Sequence, residues 1–319
     1  MLHGIKCIKV NYLIAFALLL AISAWCGCGK TMIDYAPPED ASYNGEDIEI
    51  RLPCGDTLAG TLTYPKEYKM PAVVLITGSS AHDRDNGKPG QSLDAYRPFR
   101  QIADHLSTRG VAVLRMDDRG VGASSGGDID EMTTPERAED IKECIQYLRG
   151  RPKIDGDRIG LVGLSEGASI AHMIAAEDTA IAGIALLSGI GSPGRVVLEY
   201  QIENGLIEDL PGLLETDRNL RYLYDFDPLE TAELVKQPVL ILQGETDRRV
   251  PPGDAYRLQE AIQNNGNQNV TVMVLPDHNH LLLKESDTGT ETEYGRLSSN
   301  QVPDAVLEII VEWILAEIQ

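Results

Sequence analysis

The chain has 319 residues, which suggests one large domain or two modest ones at roughly 150 residues per domain. Hydrophobic residues make up 43% and charged residues 24%, as in an ordinary globular protein, so collagen-like and disordered chains are excluded. Acidic residues outnumber basic ones by 49 to 28, which gives a formal charge of -21. Such a field repels the phosphates of nucleic acids, so we expect no nucleic-acid partner.

The first residues have the pattern of an export signal. Two lysines precede an uncharged apolar run over residues 12–25, which is shorter than the about 20 residues that a membrane-spanning helix needs. The run leads to Gly27 and Cys28, and this resembles a bacterial lipoprotein signal, in which a small residue precedes the lipidated cysteine. We therefore expect a signal peptide over residues 1–28, and an exported protein held in the cell envelope by a lipid at Cys28. Ordinary cleavage near Ser23 or Ala24 and an uncleaved anchor are the alternatives.

The rest of the chain divides into a polar, proline-containing tether over residues 29–46 and one domain over residues 47–319. The domain opens with a predicted β-hairpin over residues 48–64. Short apolar runs then alternate with helical patterns, which predicts an α/β fold with a mainly parallel sheet covered by helices on both faces. The further predicted strands lie at residues 72–77, 111–116, 158–163, 181–188, 238–243 and 270–275, and the predicted helices at 96–108, 135–150, 165–176, 254–263 and 303–318.

Residues 194–226 interrupt this alternation with short helical patterns. We expect them to form a small lid above the carboxyl ends of the strands. Eleven apolar residues of the lid should wall one side of a substrate pocket. They are Leu198, Tyr200, Ile202, Leu206, Ile207, Leu210, Leu213, Leu214, Tyr222, Tyr224 and Phe226. Acids outnumber bases within it, which should disfavour anionic substrates.

Residues 163–167 read Gly-Leu-Ser-Glu-Gly, between a predicted strand and a predicted helix. This is the context of a nucleophile elbow, in which a tight turn projects the serine hydroxyl above the sheet. Ser165 is therefore the candidate nucleophile, and the backbone amide of Glu166 points at the oxyanion that would form.

A serine hydroxyl needs a base to take its proton and a carboxylate to orient that base. The loop after the strand at 238–243 offers Asp247 as the acid, with Glu245 as the alternative. The loop after the strand at 270–275 offers His280 as the base, with His278 as the alternative. The chain order of serine, acid and histidine is the one that an elbow of this kind has.

The second oxyanion donor is expected in the loop after the strand at 72–77, because small residues there let the backbone approach the substrate closely. We predict the amide of Ser79, with Ser80 as the alternative. His82, in the same loop, is a candidate pocket residue. The sequence shows no metal cluster, phosphate loop or cofactor signature, so no cofactor is expected.

Taken together, these segments resemble the α/β-hydrolase superfamily, and within it the bacterial esterases and serine-aminopeptidase-like hydrolases. The resemblance covers nearly all of residues 48–319 and is carried by residues 78–85, 115–124, 163–167, 244–251 and 279–281. It implies an α/β-hydrolase fold with Ser165 as nucleophile, Asp247 as acid and His280 as base.

These observations favour a serine hydrolase that forms an acyl-enzyme, most simply a carboxylic ester hydrolase for neutral, short-to-medium acyl substrates. An aminopeptidase-like enzyme or a thioesterase would use the same triad. A non-catalytic binding lipoprotein on a hydrolase fold is the alternative from a different class.

Overall fold

The computed structural model describes residues 34–66, 69–87, 96–127, 129–284 and 301–318. The predicted signal peptide and its Cys28 lie outside the described residues, as do residues 29–33 of the predicted tether. From Ala36 onward the described residues cluster as one compact unit. No helix in the described part of the chain has both the length and the apolar character needed to cross a membrane.

Eight strands of the described residues form one sheet in the order β1-β2-β4-β3-β5-β6-β7-β8. The antiparallel hairpin β1-β2 joins the edge strand of six parallel strands, β3 to β8. The predicted α/β-hydrolase fold is thereby confirmed. The strands are β1 Asn44–Arg51, β2 Thr57–Tyr64, β3 Met70–Ile76, β4 Ala112–Met116, β5 Ile154–Leu164, β6 Ile181–Leu187, β7 Val239–Gly244 and β8 Val270–Leu275.

Helices cover both faces of the sheet. The helices are α1 Pro98–Ser107, α2 Thr134–Arg149, α3 Glu166–Glu177, α4 Gly194–Glu203, α5 Leu210–Thr216, α6 Arg218–Asp225, α7 Leu229–Ala232, α8 Asp254–Asn264 and α9 Asp304–Ile318. Apolar residues of α1 and α9 form a core with one face, and those of α2, α3 and α8 form a core with the other. Because both faces are covered, strands such as β3 are apolar and buried along their whole length.

The sheet begins earlier than the sequence pattern predicts. Residues 44–47 carry no apolar side chain, yet they pair with the end of β2 and extend β1. Tyr43, just before them, is buried, and its hydroxyl donates a hydrogen bond to Asp104 on α1. The end of the predicted tether is therefore fixed against the domain.

The predicted lid is present between β6 and β7 and consists of α4, α5 and α6. Its two predicted ends meet, because the amide of Gly194 donates a 2.9 Å hydrogen bond to the carbonyl of Phe226. A Cβ at Gly194 would lie 1.6 Å from the carbonyl oxygen of Leu223, so only glycine allows this closure. The two ends of the insertion therefore lie side by side.

Candidate active site

The candidate nucleophile lies on a strained turn between β5 and α3. Ser165 has φ 57° and ψ −119°, a conformation that costs a non-glycine residue energy and is concentrated at functional sites. A Cβ at Gly163 would lie 2.0 Å from the carbonyl oxygen of Gly167, and one at Gly167 would lie 2.3 Å from that of Ile76. Both glycines are therefore required sterically, which explains the spacing of the motif.

The candidate acid lies in the loop after β7, and both oxygens of its carboxylate accept hydrogen bonds. Asp247 is 1% exposed. Its Oδ1 accepts from the amides of Arg249 at 2.7 Å and Val250 at 2.9 Å, and its Oδ2 accepts from Nε2 of Gln243 at 2.7 Å. Glu245, the alternative from the sequence, is exposed, and its carboxylate accepts from the amide of Asp277 instead.

The candidate base lies directly against this acid. Nδ1 of His280 is 2.8 Å from Oδ2 of Asp247, and the imidazole is buried. A carboxylate can only accept, so Nδ1 carries the proton and Nε2 is left as the basic nitrogen. The ring of His278 turns away, with its Nδ1 2.7 Å from the carbonyl of Pro276. The structure therefore brings His280 to Asp247 and does not bring His278 there.

A cavity of about 310 Å³ lies above these residues, and both Ser165 and His280 line it. The lid contributes an apolar wall to it. The apolar lining residues from the lid are Val197, Leu198, Leu220, Leu223 and Phe226. Of the eleven apolar lid residues named from the sequence, Leu198 and Phe226 line the cavity, and the other nine, Tyr200 among them, do not. Polar lining residues include Gln201, Asp217, Asn219 and Arg249.

The loop after β3 approaches the nucleophile closely. A Cβ at Gly78 would lie 3.5 Å from Cβ of Ser165, and both Ser79 and Ser80 line the cavity. The amide of Gly78 is already engaged, because it donates to Oδ1 of Asn86 at 3.3 Å. Ser79 stays the predicted oxyanion donor, and Ser80 the alternative.

Buried ion pairs fix the remainder of this loop. Arg84 makes hydrogen bonds of 3.1 and 2.8 Å to the two carboxylate oxygens of Asp117, at the carboxyl end of β4. Asp85 pairs with Arg115, and Asp83 pairs with Arg97. These charged side chains pair with one another and do not line the cavity, so they act on the loop and not on a substrate.

His82 also lines the cavity, as expected from its position in the sequence. Its Nδ1 lies 2.9 Å from the carbonyl oxygen of Ser80, and its amide donates to Asp118 at 2.9 Å. Ser80 itself has φ 69°, so this side chain lies beside a backbone bend in the same loop. His82 therefore belongs to the cavity wall.

Sequence reasoning assigned only the amide of Glu166 a role, and the structure shows that its side chain is engaged as well. The carboxylate is 0% exposed and lies 3.0 Å from the guanidinium of Arg137. Burial favours a raised pKa for Glu166, but the charge of Arg137 and then hydrogen bonds from Thr134, Asn219 and Ser79 bring the pKa below its usual value. Glu166 is therefore ionised at neutral pH. These partners come from distant parts of the sequence, so no local pattern could have revealed them.

Among the described residues, no group of three or more histidine, cysteine or acidic side chains is arranged to hold a metal ion. Ser165 and His280 line the cavity and Asp247 contacts His280, and these are the side chains that nucleophilic attack by a serine requires.

Comparisons with known proteins find a matching family, related sequences and a related fold. The profile of the prolyl oligopeptidase family matches residues 98–295. Esterase EstD of Thermotoga maritima is 28% identical in an alignment of 309 positions that covers 88% of this chain and 69% of that protein. Dipeptidyl aminopeptidase BIII of Pseudoxanthomonas mexicana is 25% identical over 263 residues, but this covers only 36% of that protein. The crystallised esterase Pf2001 of Pyrococcus furiosus superposes with a TM-score of 0.65 at 19% identity, covering 90% of this chain and 96% of that one.

Proposed function

The chain belongs to the prolyl oligopeptidase family and is a serine hydrolase, and we propose that it is a carboxylic ester hydrolase for neutral, short-to-medium acyl substrates. The similarity to esterase EstD, which extends over most of both chains, supports esters as substrates. Membership of an enzyme family also removes the reason to keep a non-catalytic binding protein as an alternative.

The single observation that carries the proposal is the pair His280–Asp247, which faces the same cavity as Ser165. In the proposed reaction, Oγ of Ser165 attacks the ester carbonyl carbon while Nε2 of His280 takes the hydroxyl proton. Asp247 holds the imidazole in the tautomer that can accept it and stabilises the imidazolium that forms. The oxyanion is stabilised by hydrogen bonds from the amides of Glu166 and Ser79.

The tetrahedral intermediate then collapses and expels the alcohol, which leaves with the proton from His280. The acyl group stays on Ser165 as an ester. A water molecule attacks this acyl-enzyme with His280 again as the base, and the carboxylic acid leaves as Ser165 regains its proton.

The dimensions and lining of the cavity support a small, neutral substrate. Ligand cavities commonly span about 300–1,000 Å³, and a volume of about 310 Å³ lies at the small end of this range. The apolar wall that the lid supplies favours an acyl chain without charge. Of the acids in the lid, Asp217 lines the cavity itself and opposes a substrate carboxylate.

A fluorophosphonate probe tests the proposal directly, because it reacts with activated serines. We expect it to label the purified domain and to block hydrolysis of p-nitrophenyl butyrate. Ser165→Ala should lose both labelling and turnover, with kcat falling on the order of 10⁵-fold or more. Labelling that persists in this variant would contradict the assignment of Ser165.

An aminopeptidase-like activity is a second candidate, favoured by the family and by the position of Asp217. The side chain of an acid in the cavity wall could pair with the α-amine of an aminoacyl substrate. Comparing an aminoacyl p-nitroanilide with the p-nitrophenyl ester of the same acid separates the two. A thioesterase would be distinguished by adding the matching thioester to this comparison.

We propose further that the protein is exported and held in the cell envelope by a lipid on Cys28. The proposal rests on the apolar run over residues 12–25 and the Gly-Cys pair that follows it. A diacylated cysteine supplies two chains, enough for stable attachment where one would not be. Cys28→Ser should keep esterase activity but leave the membrane fraction, and unchanged membrane association would favour an uncleaved anchor.

A further inference from the structure

The side chain of Glu166 joins three separate parts of the fold. Its Oε1 accepts hydrogen bonds from Oγ1 of Thr134 at 2.7 Å and from Nδ2 of Asn219 at 3.0 Å. Its Oε2 lies 3.0 Å from Nη1 of Arg137. A buried carboxylate is costly unless such partners surround it, so removing one of them disturbs the others. Glu166 thereby links α3 to α2 and to the lid helix α6.

Arg137 extends this link to the loop that carries the second oxyanion donor. Its Nη2 donates to the carbonyl of Gly78 at 2.8 Å and to Oγ1 of Thr77 at 3.1 Å. The side chain of Ser79 also helps to lower the pKa of the Glu166 carboxyl. The loop that carries the proposed oxyanion donor Ser79 is therefore connected to Glu166 through Arg137.

Asn219 brings the lid into the same network. Its Oδ1 accepts from the amide of Thr134 at 2.9 Å, while its Nδ2 donates to Glu166. Asn219 lines the cavity together with Leu220 and Leu223 of the same helix. A substrate in the cavity thus contacts the helix that holds the Glu166 carboxylate.

We propose that Asn219 and Glu166 are a pair of positioning residues that couple the seating of the lid to the geometry of the oxyanion hole. The inference rests on the proposed function, because an oxyanion hole matters only if Ser165 attacks a carbonyl. When the lid is seated, Asn219 fixes the carboxylate, the carboxylate fixes Arg137, and Arg137 fixes the loop at Gly78. Loss of Asn219 leaves the carboxylate short of a donor and loosens the loop.

Asn219→Ala tests the coupling. We expect kcat for p-nitrophenyl butyrate to fall about ten-fold, as for other residues that act through a network, while KM changes little. A trifluoromethyl ketone, which forms a tetrahedral adduct with the serine, should bind more weakly by the same factor because it needs the oxyanion hole. A residue that only stabilised the lid would change KM and the melting temperature without this parallel loss.

Arg218→Ala is the matched control. Arg218 precedes Asn219 on the same helix and holds the lid to α2 through hydrogen bonds of 2.8 and 2.9 Å to Glu136, but it does not line the cavity. This ion pair is largely exposed, so its loss should change kcat by less than about two-fold. The comparison separates lid docking in general from the contact with Glu166.

A double-mutant cycle with Glu166→Gln completes the test. If Asn219 acts through Glu166, the kcat of the double variant should fall by much less than the product of the two single losses. Multiplicative losses, or equal effects of Asn219→Ala and Arg218→Ala on kcat, would overturn the coupling. Should Glu166→Gln fail to fold, the comparison between Asn219→Ala and Arg218→Ala still decides.

The proposed function fails in a different way from the coupling. If the wild-type protein shows no turnover that depends on Ser165, the proposed function is wrong, and this inference is wrong with it. If wild-type turnover depends on Ser165 but kcat is unchanged in Asn219→Ala, only the coupling is contradicted.

Discussion

The hydroxyl of Tyr200, on the first helix of the lid, donates a 2.7 Å hydrogen bond to the backbone carbonyl of Asp247. The neighbouring Gln201 donates to the carbonyl of Arg249 at 3.0 Å, so two successive lid residues hold the loop that carries the acid. The acid loop also donates to the lid, because Nη2 of Arg248 donates to the carbonyl of Asn204 at 2.8 Å. The lid therefore supports the acid loop at one end and contacts Glu166 at the other.

Tyr200→Phe is expected to weaken this support. Removing the hydroxyl leaves the Asp247 carbonyl without that donor, which should lower the free energy of unfolding by about 1 kcal/mol. We also expect kcat to fall by up to about five-fold, because the carboxylate on the same residue orients His280. Thermal unfolding and ester kinetics measure both effects. Tyr224→Phe, on lid helix α6, serves as the control, and equal behaviour of the two variants would argue against a specific role for Tyr200.

The two histidines that follow β8 give opposite expectations. His280→Ala removes the only imidazole in contact with Asp247 among the described residues, so kcat should fall almost as far as in Ser165→Ala. His278→Ala removes a ring that faces the carbonyl of Pro276, and kcat should stay within about two-fold of wild type. Steady-state kinetics of both variants decides the matter. A large loss in His278→Ala alone would reverse the assignment of the base.

Much of this fold could be predicted because strands buried on both faces must be apolar throughout. The runs that become β3, β6 and β7 stand out for this reason, and each ends at a loop that the site uses. The first half of β1 could not be predicted in the same way. Residues 44–47 are polar and glycine-containing, and their pairing is set by contact with β2 at an exposed edge.

The residues of the candidate site likewise fall into those that the sequence predicts and those that only the folded structure shows. Ser165, Asp247 and His280 could be proposed because each lies in the turn or loop after a recognisable strand, and parallel strands bring such loops to one edge. The partners of Glu166 come from α2 and α6, and only the folded chain brings them together. Tyr200 was expected to line the cavity from its apolar ring, but its hydroxyl finds an acceptor on the acid loop instead.

His172 should make the protein sensitive to acid. Burial lowers the pKa of this residue from 6.5 to about 3, and its Nδ1 lies 2.9 Å from Oγ1 of Thr231. Between about pH 6.5 and pH 3, His172 is therefore protonated in the unfolded chain but neutral in the folded protein. Because the unfolded chain binds the extra proton, the free energy of unfolding decreases as the pH falls through this window.

Replacing this imidazole by an apolar group should flatten the acid response. We expect the melting temperature of His172→Leu to decrease less than that of wild type between pH 7 and pH 4. A comparison at pH 8, where the imidazole is neutral in both the folded and the unfolded chain, measures the change in packing alone. Parallel curves for the two proteins would exclude His172 as the source of acid sensitivity.

The cavity limits the length of the acyl chain. The cavity of about 310 Å³ lies at the small end of the range of ligand cavities, so it leaves limited room for an acyl chain. We therefore expect kcat/KM to be highest for short and medium p-nitrophenyl esters and to fall beyond roughly eight to ten acyl carbons.

Leu223→Ala should move this limit, since the residue lines the cavity from α6 and its truncation adds volume next to the acyl chain. The ratio of kcat/KM for a decanoyl ester to that for a butyryl ester should rise several-fold, in keeping with about 1–3 kcal/mol for a few methylene groups in an apolar pocket. Leu213→Ala is the matched control, because Leu213 lies on the lid but is 40% exposed and does not line the cavity. If wild type already prefers a palmitoyl ester to a butyryl one, or if both variants shift the ratio equally, then this cavity does not select the acyl chain.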